Sequence, residues 1–265
     1  MAQLLSDFGF TGSLGKLSAY KMRGVDKTIL RTRGGASKQK IKSHPNFEIV
    51  RRNNSEFGGC ANAGKWIRLM LGAQTAVADY NIAGPINALV KPIQVLDTVN
   101  PLGQRNIELS KNPRLLEGFN LNRKNIFDSI IRTPVLYTIS KETLSIHVEL
   151  PPLMPGINFF APGKYALCSF VAVLGIVPDL YPTVMGYKPK PEGYSEIYPA
   201  TAETPWYPVL EGSAVSVLDI RYPKTFPDKA FSMMLSIGIR FGTMGIGGAV
   251  QQIKYAGAAK ILAMA

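Results

Sequence analysis

Few groups of residues in this chain have the types and spacing of a reactive site. Gly59-Cys-Ala-Asn-Ala-Gly64-Lys65-Trp66 carries the glycines and lysine of a phosphate-cradling loop. Such a loop needs Ser or Thr after the lysine to hold Mg²⁺ and an apolar strand before its first glycine. Trp66 occupies the hydroxyl position and Asn53-Asn54-Ser55-Glu56-Phe57-Gly58 precedes the run, so nucleotide binding is not expected there. Gly242-Thr-Met-Gly245-Ile-Gly247-Gly248 lies between two strand-like stretches and opens no helix, which makes it a turn rather than a dinucleotide fingerprint. His44 and His147 have neither paired cysteines nor clustered carboxylates around them in sequence, so capping or exposed roles are expected of both. Gly12-Ser13-Leu14-Gly15 falls one residue short of a nucleophile elbow. Glu192, Glu196, Glu203 and Glu211 are spread through a loop and suit solubility better than paired-carboxylate chemistry. No catalytic, cofactor-binding or metal-binding residue is assigned, and the chain reads as non-enzymatic.

What remains is charge. Residues 1–70 hold 13 basic and 4 acidic side chains, net +9, of a whole-chain net of +12, whereas 71–150 and 151–265 carry +1 and +2. Such asymmetry predicts an N-terminal surface that meets anions: an acidic protein, nucleic acid or an anionic membrane. Gly12 to Gly35 interleaves apolar and polar residues about the turn-compatible Gly24-Val25-Asp26. It is expected to be a β-hairpin in which Arg23 faces Lys27, with Lys21, Arg31 and Arg33 on the same side. Facing cations cost stability unless an anion sits between them, so the ribbon docks onto an acidic or phosphate surface, or it is a solvated edge guarded by charge. Ala36 to Lys42 reads as a polar connector with Lys38, Lys40 and Lys42 at alternate positions. The anion- or partner-binding set is therefore Lys16, Lys21, Arg23, Lys27, Arg31, Arg33, Lys38, Lys40 and Lys42.

A second candidate surface is aromatic. Between Tyr181 and Pro208, Tyr187, Tyr194, Tyr198, Trp206 and Tyr207 are interleaved with prolines. Aromatic side chains in stiffened loops make low-entropy contacts, and a long irregular loop is usually functional or ordered by a neighbour, so an interface is expected. The alternatives are a loop that merely covers the core and, more weakly, a carbohydrate site.

These residues need a scaffold. His44-Pro45 opens a helical segment, since Phe47, Val50, Phe57, Ala61, Ile67 and Leu71 recur at roughly helical spacing. Gly58, Gly59 and Gly64 either break it or let another chain segment pack closely. Gln74 to Val99, interrupted by Gly84-Pro85 and Pro92, suits short packed helices. From Ile130 the period becomes two. Leu144, Ile146, Val148 and Leu150 share one face against Thr143, Ser145, His147 and Glu149, and Phe231 to Phe241 alternates in the same way. Tyr165 to Val177 is the longest mainly apolar run, too short to span a bilayer and containing Gly175, and reads as a strand buried on both faces. The expected fold class is α+β, mainly β: a basic β-hairpin and connector (1–42), a small helical layer (43–125) and a C-terminal antiparallel β-sandwich (126–265).

At 265 residues such a chain can bury a core without disulfides, and its two cysteines, Cys60 and Cys168, show no pairing pattern. Met1 to Phe10 lacks a basic n-region and is interrupted by Ser6, Asp7 and Gly9, so no signal peptide is expected. A cytoplasmic location, or one inside an intracellularly assembled particle, follows as the expectation.

The run Gly15-Lys16-Leu-Ser-Ala-Tyr20-Lys21-Met-Arg23-Gly24, with the helix carrying Arg51-Arg52 and Phe57, resembles a family of uncharacterised Bacteroidota proteins that open with a Gly-Lys…Tyr-Lys-x-Arg-Gly hairpin and continue into β-rich domains. The resemblance covers about the first seventy residues and brings no activity with it. Met22 stands where the resemblance implies Trp, and His44-Pro45-Asn46-Phe47 differs from the family's Asn-Pro-Arg start. The functional expectation is a structural, self-assembling subunit of a filament, tube, shell or phage-like particle, with itself or an acidic protein as partner. Nucleic-acid binding through the basic hairpin is the alternative.

Overall fold

A computed structural model describes residues 2–3, 10–22, 25–190, 193–194, 196–226 and 228–265. The chain divides into two compact units, Met1–Arg51 and Arg52–Ala265.

The first unit contains a small antiparallel sheet built from β1 (Ala2–Gln3), β2 (Gly12–Leu14), β3 (Leu17–Tyr20) and β4 (Ile29–Thr32), in the order β1-β4-β3-β2. Gly15, at φ +56°, makes the tight β2–β3 turn, a backbone state that glycine adopts without a Cβ penalty. The helix α1 (Lys38–Ser43) follows, capped by Ser37, whose hydroxyl accepts the Lys40 N–H at 3.2 Å. Residues 38–42 are thus helical where a connector was expected. Arg51 closes the far end by donating to the Ile41 and His44 carbonyls, each at 2.9 Å. His44 has the expected capping role, its Nδ1 accepting the Asn46 N–H.

The second helix, α2 (Glu48–Leu71), runs unbroken through its glycines. Gly59 lies under the Tyr187 ring and Gly64 against the Asn87 side chain, where a Cβ would come within 2.8 Å and 1.9 Å of them. The glycines therefore permit close approach rather than a break. After a 3-10 stretch (Gly72–Val77) come α3 (Ala83–Val95) and the one-turn α4 (Phe127–Ile130).

Two larger sheets and a two-stranded hairpin complete the fold, and their strands are β5 (Leu136–Ser140), β6 (Ser145–Leu150), β7 (Leu167–Pro178), β8 (Leu180–Thr183), β9 (Gly186–Pro189), β10 (Ala200–Glu203), β11 (Tyr207–Pro208), β12 (Ser216–Arg221), β13 (Phe231–Met244) and β14 (Val250–Met264). The major sheet has the order β10-β7-β13-β14, with β11 also on β7; β12-β6-β5 form the second, and β8-β9 a separate hairpin. All pairings are antiparallel, and β7 and β13 run in continuous register from Phe231↔Pro178 to Gly242↔Leu167. On β6 the alternation is as expected: Ile146, Val148 and Leu150 are buried, while His147 and Glu149 are exposed.

On β13 both faces are buried, although the sequence alternates apolar with small or polar residues. The small face is covered by the end of α2 and the 3-10 stretch: Met70 fits against Gly175, and Gln74 Nε2 donates to the carbonyls of Val171 (2.8 Å) and Ser236 (3.3 Å). The opposite face joins the inward side chains of β6 and β12 in one core. The outcome is the expected mainly-β, α+β architecture with a helical layer against its major sheet.

Candidate functional site: the basic N-terminal surface

Burial is sparse in the first unit. Among its described residues only Ala19 and Ile29 are buried, while Leu14 (67% exposed), Leu17, Met22, Ile49 and Val50 face solvent. Too few apolar side chains are enclosed to hold β3 and β4 in place by burial alone.

Lys16, Lys21, Lys27, Arg31, Arg33, Lys38, Lys40 and Lys42 are all exposed; Arg23 lies outside the described residues. The sheet does not arrange them as the hairpin reading required. Tyr20 pairs with Ile29 and Ser18 with Arg31, one residue away from the register that would set Arg23 opposite Lys27. Side chains alternate along a strand, so this slip puts Arg31 on the Tyr20 face, with Lys21 on the other. The Arg31 guanidinium accordingly lies 5.5 Å from the centre of the Tyr20 ring. Arg33 closes the neighbouring turn by donating its backbone N–H to the Lys16 carbonyl at 2.6 Å. In α1, residues two apart point to opposite sides of the helix, so Lys38 and Lys42 share one face and Lys40 takes the other. Within the sheet and within α1, the described cations therefore do not share one face.

The aromatic candidates are positioned differently. Tyr187 is buried, its OH donating to the Arg105 carbonyl at 2.9 Å and accepting from Gln94 Nε2 at 3.2 Å. Tyr194 is buried too, stacks on Phe226 and donates to Asp228 Oδ1 at 2.7 Å. Trp206, partly buried, lies under the Arg240 guanidinium, and Tyr207 hydrogen-bonds Ser216. Only Tyr198, 70% exposed, offers its ring to solvent. The stretch is not a long loop, because β8, β9, β10 and β11 lie within it. Two of the five candidate rings, Tyr187 and Tyr194, are buried, and Trp206 and Tyr207 are partly so.

No family model, curated protein or solved structure matches this chain. Function has to be read from its own chemistry.

The most buried ionisable cluster lies in the second unit. Glu56 is fully buried, accepts the Gly103 N–H at 3.0 Å and pairs with Lys91, with Arg105 Nε at 3.7 Å. Burial alone would raise its pKa, but the bonds from Lys91 and Gly103 and the two cations hold it below the usual glutamate value. Lys91 also donates to Gln94, which takes the Cys60 S–H at 3.3 Å. Burial pushes the Cys60 thiol up to about 11 and Cys168 to about 12, so both are thiols at neutral pH and neither supplies a nucleophilic thiolate. This network ties α2 to α3 and to the β8–β9 hairpin, which gives it a structural role. The glycine-lysine run at 59–66 is an internal part of α2 and forms no phosphate-cradling loop. His147 pairs with Asp219 at 2.7 Å on the outer face of its sheet. Among the described residues no group of three or more potential metal ligands comes together, and no helix is long and apolar enough to cross a membrane.

The sequence reading passed over Pro155 to Tyr165, which forms an open, aromatic-walled cleft with Val209 and Leu210. The signal available in the sequence is the Phe159-Phe160 pair set among Pro and Gly residues, a composition that an ordinary loop shares.

Proposed function

We propose that this chain is a non-enzymatic structural subunit that assembles with copies of itself, the N-terminal unit serving as its assembly arm. The observation that carries this reading is the exposure of Leu14, Leu17, Met22, Ile49 and Val50 in a unit whose described residues enclose only Ala19 and Ile29. Apolar side chains left on a separate, thinly packed unit gain burial when a neighbouring subunit covers them. Copies of a chain of net charge +12 repel one another, so assembly by this route rests on the apolar residues and should strengthen as salt screens the cations. Multi-angle light scattering at micromolar concentration and moderate salt, together with electron microscopy, tests the proposal. A defined oligomer, filament or shell is expected, weakened by Leu14→Asp combined with Leu17→Asp. A strict monomer at every concentration and salt condition ends it.

A second reading, nucleic-acid binding, is favoured by the exposure of Lys16, Lys21, Lys27, Arg31, Arg33, Lys38, Lys40 and Lys42. Phosphate contacts release counterions, so binding by this route must fall steeply with salt. Fluorescence anisotropy with labelled single- and double-stranded DNA and RNA decides it. Replacing Lys38, Lys40 and Lys42 with Ala should lower both the affinity and the salt slope; binding indifferent to salt excludes this reading.

A further inference from the structure

The cleft at Pro155–Tyr165 is built rather than merely left open. Its loop is fixed by the buried Asn158, whose Oδ1 accepts the Met154 N–H at 2.8 Å while Nδ2 donates to Thr133 Oγ1 (3.0 Å) and the Pro152 carbonyl (2.9 Å). Backbone bonds from Arg132 N to Asn158 O and from Phe160 N to Ile130 O, both 2.9 Å, hold the loop to its neighbour. Beneath it Tyr165 stacks on Phe241 at 4.7 Å, and Phe241 on Phe159 at 6.4 Å. The cleft's volume is about 660 Å³, in the range of small-molecule sites, and it needs no rearrangement to form.

Its chemistry is one-sided. Phe160, Tyr165, Val209 and Leu210 make apolar walls, and Leu210 is 89% exposed. The one charged side chain among the lining residues is Lys164, and no lining residue is acidic. Outside the lining set, the Arg132 guanidinium lies 3.7 Å from the centre of the Phe160 ring and holds that wall in place. Apolar walls with a single lysine among them complement a ligand that has an apolar body and one negative end. We infer that this cleft binds an unbranched fatty acid, the chain lying against Phe160, Tyr165 and Leu210 and the carboxylate meeting Lys164. The inference is independent of the assembly reading, because it concerns a different surface.

Isothermal titration of the full chain with octanoate, decanoate and dodecanoate tests it. Saturable one-to-one binding is expected, tightening about two- to fourfold per added methylene as apolar surface is buried. Decanol should bind more weakly than decanoate. Leu210→Asp should abolish binding and Lys164→Glu weaken it about tenfold or more, with circular dichroism melts matching the parent because both side chains are exposed. Absence of saturable binding overturns the inference, as does binding that both variants leave unchanged. Decanol binding as tightly as decanoate, with Lys164→Glu neutral, overturns the fatty acid in particular.

Discussion

The pairing of β7 with β13 and that of β3 with β4 are both antiparallel, yet their registers are secured differently. The first aligns twelve residue pairs, and nearly every side chain on both strands is buried. The second aligns four pairs and encloses only Ala19 and Ile29. Slipping the long pair by one residue would exchange Phe231, Ile237 and Phe241 with Ser232, Gly238 and Gly242 across a filled core. Slipping the short pair would mainly move exposed polar side chains from one side to the other. Register is therefore written in the sequence wherever burial penalises the alternative.

The largest expected effect sets a core truncation against an arm truncation. Phe241→Ala removes a fully buried ring packed against Phe159 and Tyr165 and should cost about 3–5 kcal/mol in urea unfolding. Leu17→Ala, at a residue already 36% exposed, should cost under about 0.5 kcal/mol in the same measurement. Similar losses from the two substitutions would break the contrast between the units.

The buried carboxylate comes next. Glu56→Gln keeps the shape but loses charge-assisted bonds, each contributing about 1.5–3 kcal/mol, and should destabilise the second unit near neutral pH by about that much. Since the folded-state pKa of Glu56 is lowered, its contribution is present above the unfolded value of 4.5 and is lost as pH falls through the folded value. Urea midpoints measured between pH 3 and pH 7 should show parent and variant converging on the acid side. A constant gap over the whole range would mean that Glu56 acts by packing alone.

Glycines sharpen the comparison further. A Cβ at Gly175 would come within 2.5 Å of Met70 Cβ, so Gly175→Ala should cost about 1–3 kcal/mol through overpacking. Gly34 has open space around it, and Gly34→Ala should change stability by no more than about 0.5 kcal/mol, readable as a difference in thermal midpoint. Equal effects would mean that α2 can shift off the sheet at little cost.

The same logic explains what the sequence made legible. The β5–β6 hairpin, the doubly buried β7 and the strands at β12 to β14 follow from alternation or from unbroken apolar runs between turn residues. The helical cover over the Ser232–Gly238 face does not, because small and polar residues on a strand look alike whether they meet water or another backbone. The burial of Tyr187 and Tyr194 is illegible for a related reason: aromatic residues among prolines suit an interface and an irregular core lid equally. What separated these was the hydroxyl partners, Arg105 and Gln94 for one and Asp228 for the other, which lie far away in sequence. The cations were legible in number and exposure but not in direction, which depends on a register that nothing buried enforces.

The smallest effect is the most specific to that register. With Tyr20 paired to Ile29, the exposed Arg31 shares a face with the half-buried Tyr20 ring, and a cation over a ring near the surface contributes about 0.5–1 kcal/mol. In the register that sets Arg23 opposite Lys27, Arg31 would instead face Ala19, with its side chain on the other side of the ribbon from Tyr20. A double-mutant cycle of Arg31→Ala and Tyr20→Leu separates the two, because only a shared face lets the substitutions couple. The readout should be local, since the first unit can open without the core: amide hydrogen exchange at Ser18 and Ile29, which lie in the same alternation as the hydrogen-bonded Lys16–Arg33 pair and so point across β3 and β4, reports the opening free energy of the ribbon itself. Coupling near 0.5 kcal/mol is expected. Additive effects would mean that the arm in solution does not hold the register that places Arg31 over Tyr20.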